Sequence, residues 1–183
     1  WKIQENQKQD ILFVGNDGFR DFKLIEKIIN SFPEINFSVV SEFINKENLI
    51  HNNFKIYNGS WGNPALSDLA LRDLYSSSKL TIIPLKNSLQ PSGQSVALQS
   101  IACGTPVLIS KTDGFWDNEN FKNGLNIFFN KNNDLNSWRE EILKIYEMDA
   151  SSYEKVVSNG LDLIQSNYNL NDFYIKIENI LFA

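Results

Sequence analysis

Hydrophobic and polar positions alternate along this chain in a way that predicts short buried strands separated by amphipathic helices. An apolar run at 11–14 ends at Gly15, and apolar residues then recur every three or four positions from Phe22 until Pro33. A short apolar run followed by that spacing is typical of a strand, a loop and a helix. This part of the chain therefore predicts one strand–helix unit.

The same pattern continues along most of the sequence. Further strands are predicted at 37–40, 54–57, 80–84, 107–109 and 127–129, with helices near 66–75, after Ser95, and at 135–146, 152–164 and 171–181. Strands joined through helices pair in parallel. We expect an α/β fold: a three-layer Rossmann-like domain with a central parallel sheet of about six strands and extra carboxyl-terminal helices.

The last predicted helix carries an apolar face. Its apolar positions recur at helical spacing, at Leu170, Phe173, Tyr174, Ile177 and Ile180. The simplest interpretation is that this face packs on the rest of the domain.

With 183 residues, of which 42% are hydrophobic, the chain is long enough for one domain with a core of its own.

Charge and cysteine content narrow the classes of function. There are 17 basic and 22 acidic residues, and no basic cluster offsets the net charge of −5, so nucleic-acid binding is not expected. Cys103 is the only cysteine, which excludes an intramolecular disulfide and a cysteine zinc site and favours a cytoplasmic protein. No apolar run is long enough to predict a transmembrane segment.

In an open parallel sheet, ligands bind beyond the carboxyl ends of the strands, so functional residues are expected in the loops there. The first of them contains Gly15, Asn16 and Arg20. Arg20 falls near the start of a helix, where a cation opposes the helix dipole and only Asp21 is close enough to offset it. A bound anion such as a diphosphate would explain this placement, and so would a solvated arginine. The loop is neither a G-x-G-x-x-G nor a Walker sequence.

The segment QPSGQSVALQSIACGTPVLI, at 90–109, predicts a polar loop, a helix and a strand. If the helix begins at Gln94 or Ser95, the N–H groups of Gly93, Gln94 and Ser95 point out of its start, where a diphosphate fits. Gln99 lies one turn further on the same face and could hold a ribose diol. A tight loop and a buried helix in any α/β protein is the structural alternative. The positions expected to face the core are Val96, Ala97, Ile101 and Cys103.

Other residues form weaker candidates. Asp113, Gly114 and Asp117 follow a predicted strand and could line a site for a polar ligand, although a solvated turn explains them equally. Trp61 could stack on a nucleobase, with packing as the alternative. His51 lies in a polar loop away from any acidic cluster, so no metal site is expected.

Several of these segments, in order, resemble a known family. They are GND..R at 15–20, ALSDLALRDLYSSSKLTIIP, SGQSVALQSIACGTPVLIS, TDGFWD and NGLNIFF. Together they resemble the carboxyl-terminal, donor-binding domain of GT-B glycosyltransferases, group 1 or family 4. The strongest piece, ALQSIACGTPVLIS, is similar to the family's L-E-A-M-A-C-G-T-P-V-V signature.

This resemblance implies a function for the whole of 1–183 as one nucleotide-sugar-binding domain. The enzyme would transfer a sugar from a nucleoside-diphosphate sugar to a glycan or lipid-linked acceptor, with retention, without a metal and without a further cofactor. The acceptor would be held by the protein's own amino-terminal domain, which this chain lacks and which the last helix would touch. The resemblance also implies bacterial polysaccharide biosynthesis, in the cytoplasm or at the inner face of the membrane.

The resemblance assigns roles to particular residues. Arg20 would contact the donor diphosphate, Gln94 and Ser95 would supply helix-start amides, and Gln99 would bind ribose. Asp117 resembles the acidic residue after the family's glycine loop. No catalytic residue is assigned.

Two positions depart from the family. Pro91 and Gln99 stand where two glutamates are expected. The alternatives to a glycosyltransferase are a non-catalytic α/β signalling or binding module, and a GT-B-fold nucleotide-sugar epimerase or degenerate domain.

Overall fold

The structure, a computed structural model, describes residues 8–59 and 62–182. Its centre is a parallel sheet whose strands run in the order β3-β2-β1-β4-β5-β6. The strands are β1 (Asp10–Val14), β2 (Phe37–Val40), β3 (Phe54–Tyr57), β4 (Ser78–Ile83), β5 (Val107–Ser110) and β6 (Phe128–Asn130). The predicted Rossmann-like α/β fold with about six parallel strands is confirmed.

Helices connect the strands and extend beyond them. They are α1 (Phe22–Asn30), α2 (Asp68–Ser77), α3 (Gln94–Ala102), α4 (Leu135–Tyr146), α5 (Ala150–Asn167) and α6 (Leu170–Leu181). Side-chain oxygens cap the starts of α1, α2, α4 and α5 by accepting from the first turn, which fixes where these helices begin. The capping residues are Asp21, Ser67, Asp134 and Asp149.

The core has two parts because successive strand side chains point to opposite faces of the sheet. On one face Ile11 and Phe13 pack with the apolar sides of α1 and α4. On the other face Leu12 and Ile83 pack with α3 and with the buried ring of Tyr75 from α2. The helices therefore cover both faces of the sheet, and Val96, Ala97, Ile101 and Cys103 are buried as predicted.

The strand order reverses between β1 and β4, and the loops that follow these two strands diverge there. Before they diverge, the end of the loop after β1 pairs antiparallel with the start of the loop after β4. Asp21 N–H donates to the carbonyl of Pro84 at 3.0 Å, and Lys86 N–H donates to the carbonyl of Phe19 at 2.8 Å. These bonds place Arg20, opposite Leu85, beside the loop that leads into α3.

The predicted packing of the last helix on the domain is wrong. The α6 side chains Leu170, Phe173 and Ile180 are 71%, 57% and 76% exposed. Helical periodicity identifies an apolar face but carries no information on what covers it. Within the described ranges, no helix has both the length and the apolar character that a membrane span requires.

Candidate functional site

A cavity of about 510 Å³ opens at the carboxyl ends of β1, β2 and β3, beside the start of α3. This is the edge at which open parallel sheets bind ligands. Its lining comprises Gly15, Asn16, Asp17, Arg20, Val40, Glu42, Gly59, Pro64, Ala65, Leu66, Leu71, Ser95 and Val96. The structure therefore brings four of the predicted anion-site residues, Gly15, Asn16, Arg20 and Ser95, to one cavity.

Arg20 is buried, with 2% of its surface exposed, so the alternative of a solvated arginine is wrong. Its side chain lies where glycines leave room for it. A Cβ at Gly15 would lie 2.4 Å from Arg20 Nε, and a Cβ at Gly93 would lie 3.6 Å from Arg20 Nη1. The close approach that these glycines permit is the approach of the guanidinium.

The partners of Arg20 come from two loops. Its Nη1 forms an ion pair with Asp17 Oδ2 at 3.0 Å and donates to Ser92 Oγ at 2.7 Å. Asp21, expected to offset the charge, instead caps α1 by accepting from Leu24 N–H. Burial lowers the pKa of Arg20, and the Asp17 carboxylate opposes that shift. The guanidinium is thus a buried, paired cation at the cavity wall.

Asn16 braces two neighbouring loops. Its Nδ2 donates to the carbonyl of Gly59 at 2.6 Å, and its Oδ1 accepts from Glu42 N–H at 2.9 Å. These bonds join the loops that follow β1, β2 and β3. The Asn16 side chain therefore shapes the cavity, with its amide already occupied by backbone groups.

The start of α3 differs from the capped helix starts. Gly93 occupies the N-cap position in the left-handed region, with φ 81°, and no described side chain caps it. The N–H groups of Gln94 and Ser95 open the helix as predicted, at the positive end of its dipole. Ser95 lines the cavity, while Gln94 is half-buried outside the lining.

Gln99 lies on the exposed side of α3, one turn after Ser95. Its Oε1 accepts from the Tyr75 hydroxyl at 3.3 Å. Burial raises the pKa of Tyr75, so this hydroxyl stays a donor. The structure places Gln99 beyond the cavity lining, and its assignment to a ribose stays a prediction.

Asp113 and Gly114 lie against the loop that leads into α3. Gly114 N–H donates to the carbonyl of Ser88 at 2.9 Å, and a Cβ at Gly114 would lie 2.4 Å from the carbonyl oxygen of Leu89. Asp113 Oδ2 accepts from Asn87 Nδ2 at 3.2 Å. Neither residue lines the cavity, and their contact with a ligand stays a prediction.

Asp117 is engaged by protein donors. Its carboxylate accepts from Glu119 N–H at 3.1 Å, Asn120 N–H at 3.0 Å, Asn120 Nδ2 at 2.8 Å and the Tyr168 hydroxyl. Burial favours the neutral acid, but the hydrogen bonds, led by that from Tyr168, outweigh it and lower the pKa of Asp117. The carboxylate caps a turn and ties it to the end of α5.

Candidate metal and thiol chemistry is limited in the described part of the chain. No group of three or more His, Cys, Asp or Glu side chains there could hold a metal ion. Cys103 is buried, and burial raises the pKa of its thiol to about 11. Trp61, the predicted base-stacking residue, lies outside the described residues.

Sequence reasoning missed Asp17, Ser92 and the cavity wall built from Val40, Glu42 and the segment 64–66. Asp17 carried a local signal, since it precedes Arg20 by three residues in a loop. Ser92 carried none, because its contact with Arg20 joins positions 72 residues apart.

Comparison with known proteins gives no match to a family model and none to a curated protein. Solved structures do match. The C-terminal domain of the glycosyl transferase group 1 family protein LpcC from Francisella tularensis aligns over 92% of this chain and 95% of its own, with a TM-score of 0.68 and 13% identity. The chain has the fold of the carboxyl-terminal half of a GT-B glycosyltransferase.

Longer GT-B structures agree with this assignment of fold. A glycosyltransferase from Rickettsia africae ESF-5 matches 96% of this chain with a TM-score of 0.74 and 14% identity, over 47% of its own length. Anabaena Alr3699/HepE in complex with UDP-glucose matches 95% with a TM-score of 0.72 and 15% identity, over 48% of its length. The chain thus spans about half the length of these two GT-B proteins.

Proposed function

We propose that this domain binds a nucleoside-diphosphate sugar and forms the donor half of a glycosyltransferase. The observation that carries the proposal is the convergence of the buried Arg20 guanidinium and the uncapped start of α3 at one cavity. A buried cation beside free helix-start N–H groups is suited to a phosphate group. The similarity in fold to a glycosyl transferase group 1 domain supports sugar transfer as the reaction for which this anion site is used.

The chemistry required of the site is stabilisation of a leaving nucleoside diphosphate. Negative charge develops on the phosphate oxygens as the glycosidic bond breaks. Arg20 and the N–H groups of Gln94 and Ser95 would receive that charge from fixed positions, so the scheme needs no metal and no further cofactor. Retention of stereochemistry is part of the proposal, and the catalytic base is left unassigned.

The rest of the cavity suits the nucleoside. Val40, Pro64, Leu66 and Leu71 give it an apolar wall, against which the face of a nucleobase can pack. Gln99, one turn along α3 from Ser95, would hold the ribose diol after releasing the Tyr75 hydroxyl. Since Anabaena Alr3699/HepE was crystallised with UDP-glucose, UDP and UDP-glucose are the first ligands to test.

The acceptor half of the enzyme would be a separate amino-terminal domain of the same protein. The exposed apolar side chains of α6, such as Phe173 and Ile180, provide a surface for it to cover. We propose a glycan or lipid-linked acceptor, used at the inner face of a bacterial membrane in polysaccharide synthesis.

One observation favours a second candidate, a GT-B domain that binds the nucleotide sugar without transferring it, or epimerises it. Pro91 is exposed in the loop before α3, where the family has a glutamate, and its side chain cannot accept a hydrogen bond from a donor sugar. Acceptor-dependent release of nucleoside diphosphate by the full-length protein separates transfer from both alternatives.

Calorimetric titration of this chain with UDP, GDP, ADP and their sugars tests donor binding. Arg20→Lys keeps a cation but loses the planar fork, so we expect binding to weaken by about tenfold or more. Arg139→Lys makes the same change at an exposed arginine on α4, outside the cavity lining, and this matched control should bind as the parent does. Absence of binding below the millimolar range for all these ligands would contradict the proposal.

A further inference from the structure

In the proposed donor site, the Arg20 guanidinium is already paired with the carboxylate of Asp17. Asp17 Oδ2 lies 3.0 Å from Arg20 Nη1, and the Arg20 side chain is 3% exposed. The Ser92 hydroxyl joins both groups, 2.7 Å from Nη1 and 3.2 Å from Asp17 Oδ1. A phosphate therefore cannot reach Nη1 while Asp17 keeps this position.

Asp17 is the movable member of the group. Its side chain is 44% exposed and lines the cavity, whereas Arg20 is fixed by burial, by Gly15 beneath it and by its pairing with Leu85. A half-exposed carboxylate is hydrated as it turns outward, so Asp17 gives up only its pairing with Arg20 and its hydrogen bonds from Ser92 Oγ and Phe19 N–H. The departure leaves Arg20 uncompensated unless another anion arrives, which ties the two events together.

Arg20 also has an unused donor. Its Nε is buried, and no described residue accepts a hydrogen bond from it. A diphosphate carries more negative charge and more acceptor oxygens than a carboxylate, so it pairs more strongly with a guanidinium than Asp17 does. This difference provides a driving force for exchange.

We propose that Asp17 is an exchangeable counter-anion of Arg20, displaced when the diphosphate of a nucleotide sugar binds and returning when the nucleoside diphosphate leaves. The inference rests on the proposed function and adds a regulatory element to the same site. Asp17 lowers the affinity for the diphosphate, and its return assists product release.

Asp17→Asn is a sharp test because it removes the charge and keeps an oxygen that can accept from Phe19 N–H, as Asp17 Oδ1 does at 3.0 Å. We expect the dissociation constant for UDP to fall by about three- to tenfold. Glu42→Gln removes a charge from the same cavity without touching the ion pair, and it should tighten binding by less. Thermal unfolding of each variant checks that the fold is kept.

A second readout follows Arg20 itself. In ¹⁵N NMR, the Arg20 Nε signal of the parent chain should shift on addition of UDP, and in Asp17→Asn it should already differ before UDP is added. If the parent binds UDP and Asp17→Asn binds equally or more weakly, the exchange is refuted and the proposed function stands. If neither the parent nor Asp17→Asn binds UDP below the millimolar range, the proposed function fails together with the exchange.

Discussion

Asn133 adopts the left-handed backbone conformation, with φ 51°, which is uncommon for residues other than glycine. Its Oδ1 accepts from the Ser110 hydroxyl at 2.6 Å and from Trp138 Nε1 at 3.1 Å, while its Nδ2 donates to the Leu85 carbonyl at 2.8 Å. Leu85 N–H in turn donates to Ser110 Oγ at 2.8 Å. This closed ring fixes the backbone of Leu85, opposite Arg20.

Asn133→Gly isolates the contribution of the ring, because glycine accepts the positive φ and lacks the amide. We expect a loss of about 1–3 kcal/mol in the free energy of unfolding, since buried groups of Ser110 and Leu85 lose partners. Asn133→Ala adds backbone strain and should lose more. Urea unfolding monitored by far-UV circular dichroism measures both, and a glycine variant as stable as the parent would contradict the assignment.

At this scale the sequence predicted those contacts that depend on local chemistry. The uncapped start of α3 follows from Gly93 and its neighbours, and the burial of Cys103 follows from helical spacing. The partners of Arg20 did not follow, because they depend on the folded path of two loops distant in sequence. The occupation of Asp117 by Tyr168 depends in the same way on where α5 ends.

The elements themselves were largely predictable. Strands β2 and β3 and helix α4 have the predicted bounds, because an apolar run or an aspartate cap marks where each begins. Helix α5 contains Gly160, and it runs through this residue unbroken although glycine disfavours helix interiors. The reason is tertiary: α5 packs on α3 at this point.

Gly160→Ala separates helix propensity from packing. Propensity alone favours alanine by about 1 kcal/mol, but its Cβ would lie 2.8 Å from Ile101 Cγ2. We expect the substitution to destabilise the chain by about 1–3 kcal/mol, because a packed interface resists an added methyl group. In an Ile101→Ala background the cost should shrink or change sign, and a double-mutant cycle by urea unfolding measures this coupling. Equal costs in the two backgrounds would rule out the contact.

The whole molecule divides into a packed α/β body and an exposed terminal helix. A chain that ends after Asn169 keeps both core clusters and loses the exposed side chains of α6. We expect its free energy of unfolding to stay within about 1 kcal/mol of the parent, since little apolar area buried in the body is lost. Urea unfolding measures this, and a clearly lower midpoint would show that α6 packs on the body in solution.

The same truncation should reduce self-association of the isolated chain, because exposed apolar patches associate in water. Sedimentation velocity over a range of concentrations provides the measurement. In the full chain, Leu170→Ser with Ile180→Ser keeps the helix and removes two of its apolar side chains. This variant should also associate less than the parent. Equal association of parent, truncated and serine-substituted chains would assign the contact to another surface.

Because Gly15 leaves room for the Arg20 side chain, substitutions at position 15 affect ligand binding through Arg20. Any side chain at position 15 would meet the guanidinium before it met a nucleotide, since its Cβ would lie 2.4 Å from Arg20 Nε. A screen for lost ligand binding should therefore return position 15 as strongly as position 20. Such a hit would report a displaced arginine, and taking it as evidence of direct contact with the ligand would misplace the substrate on the map of the site.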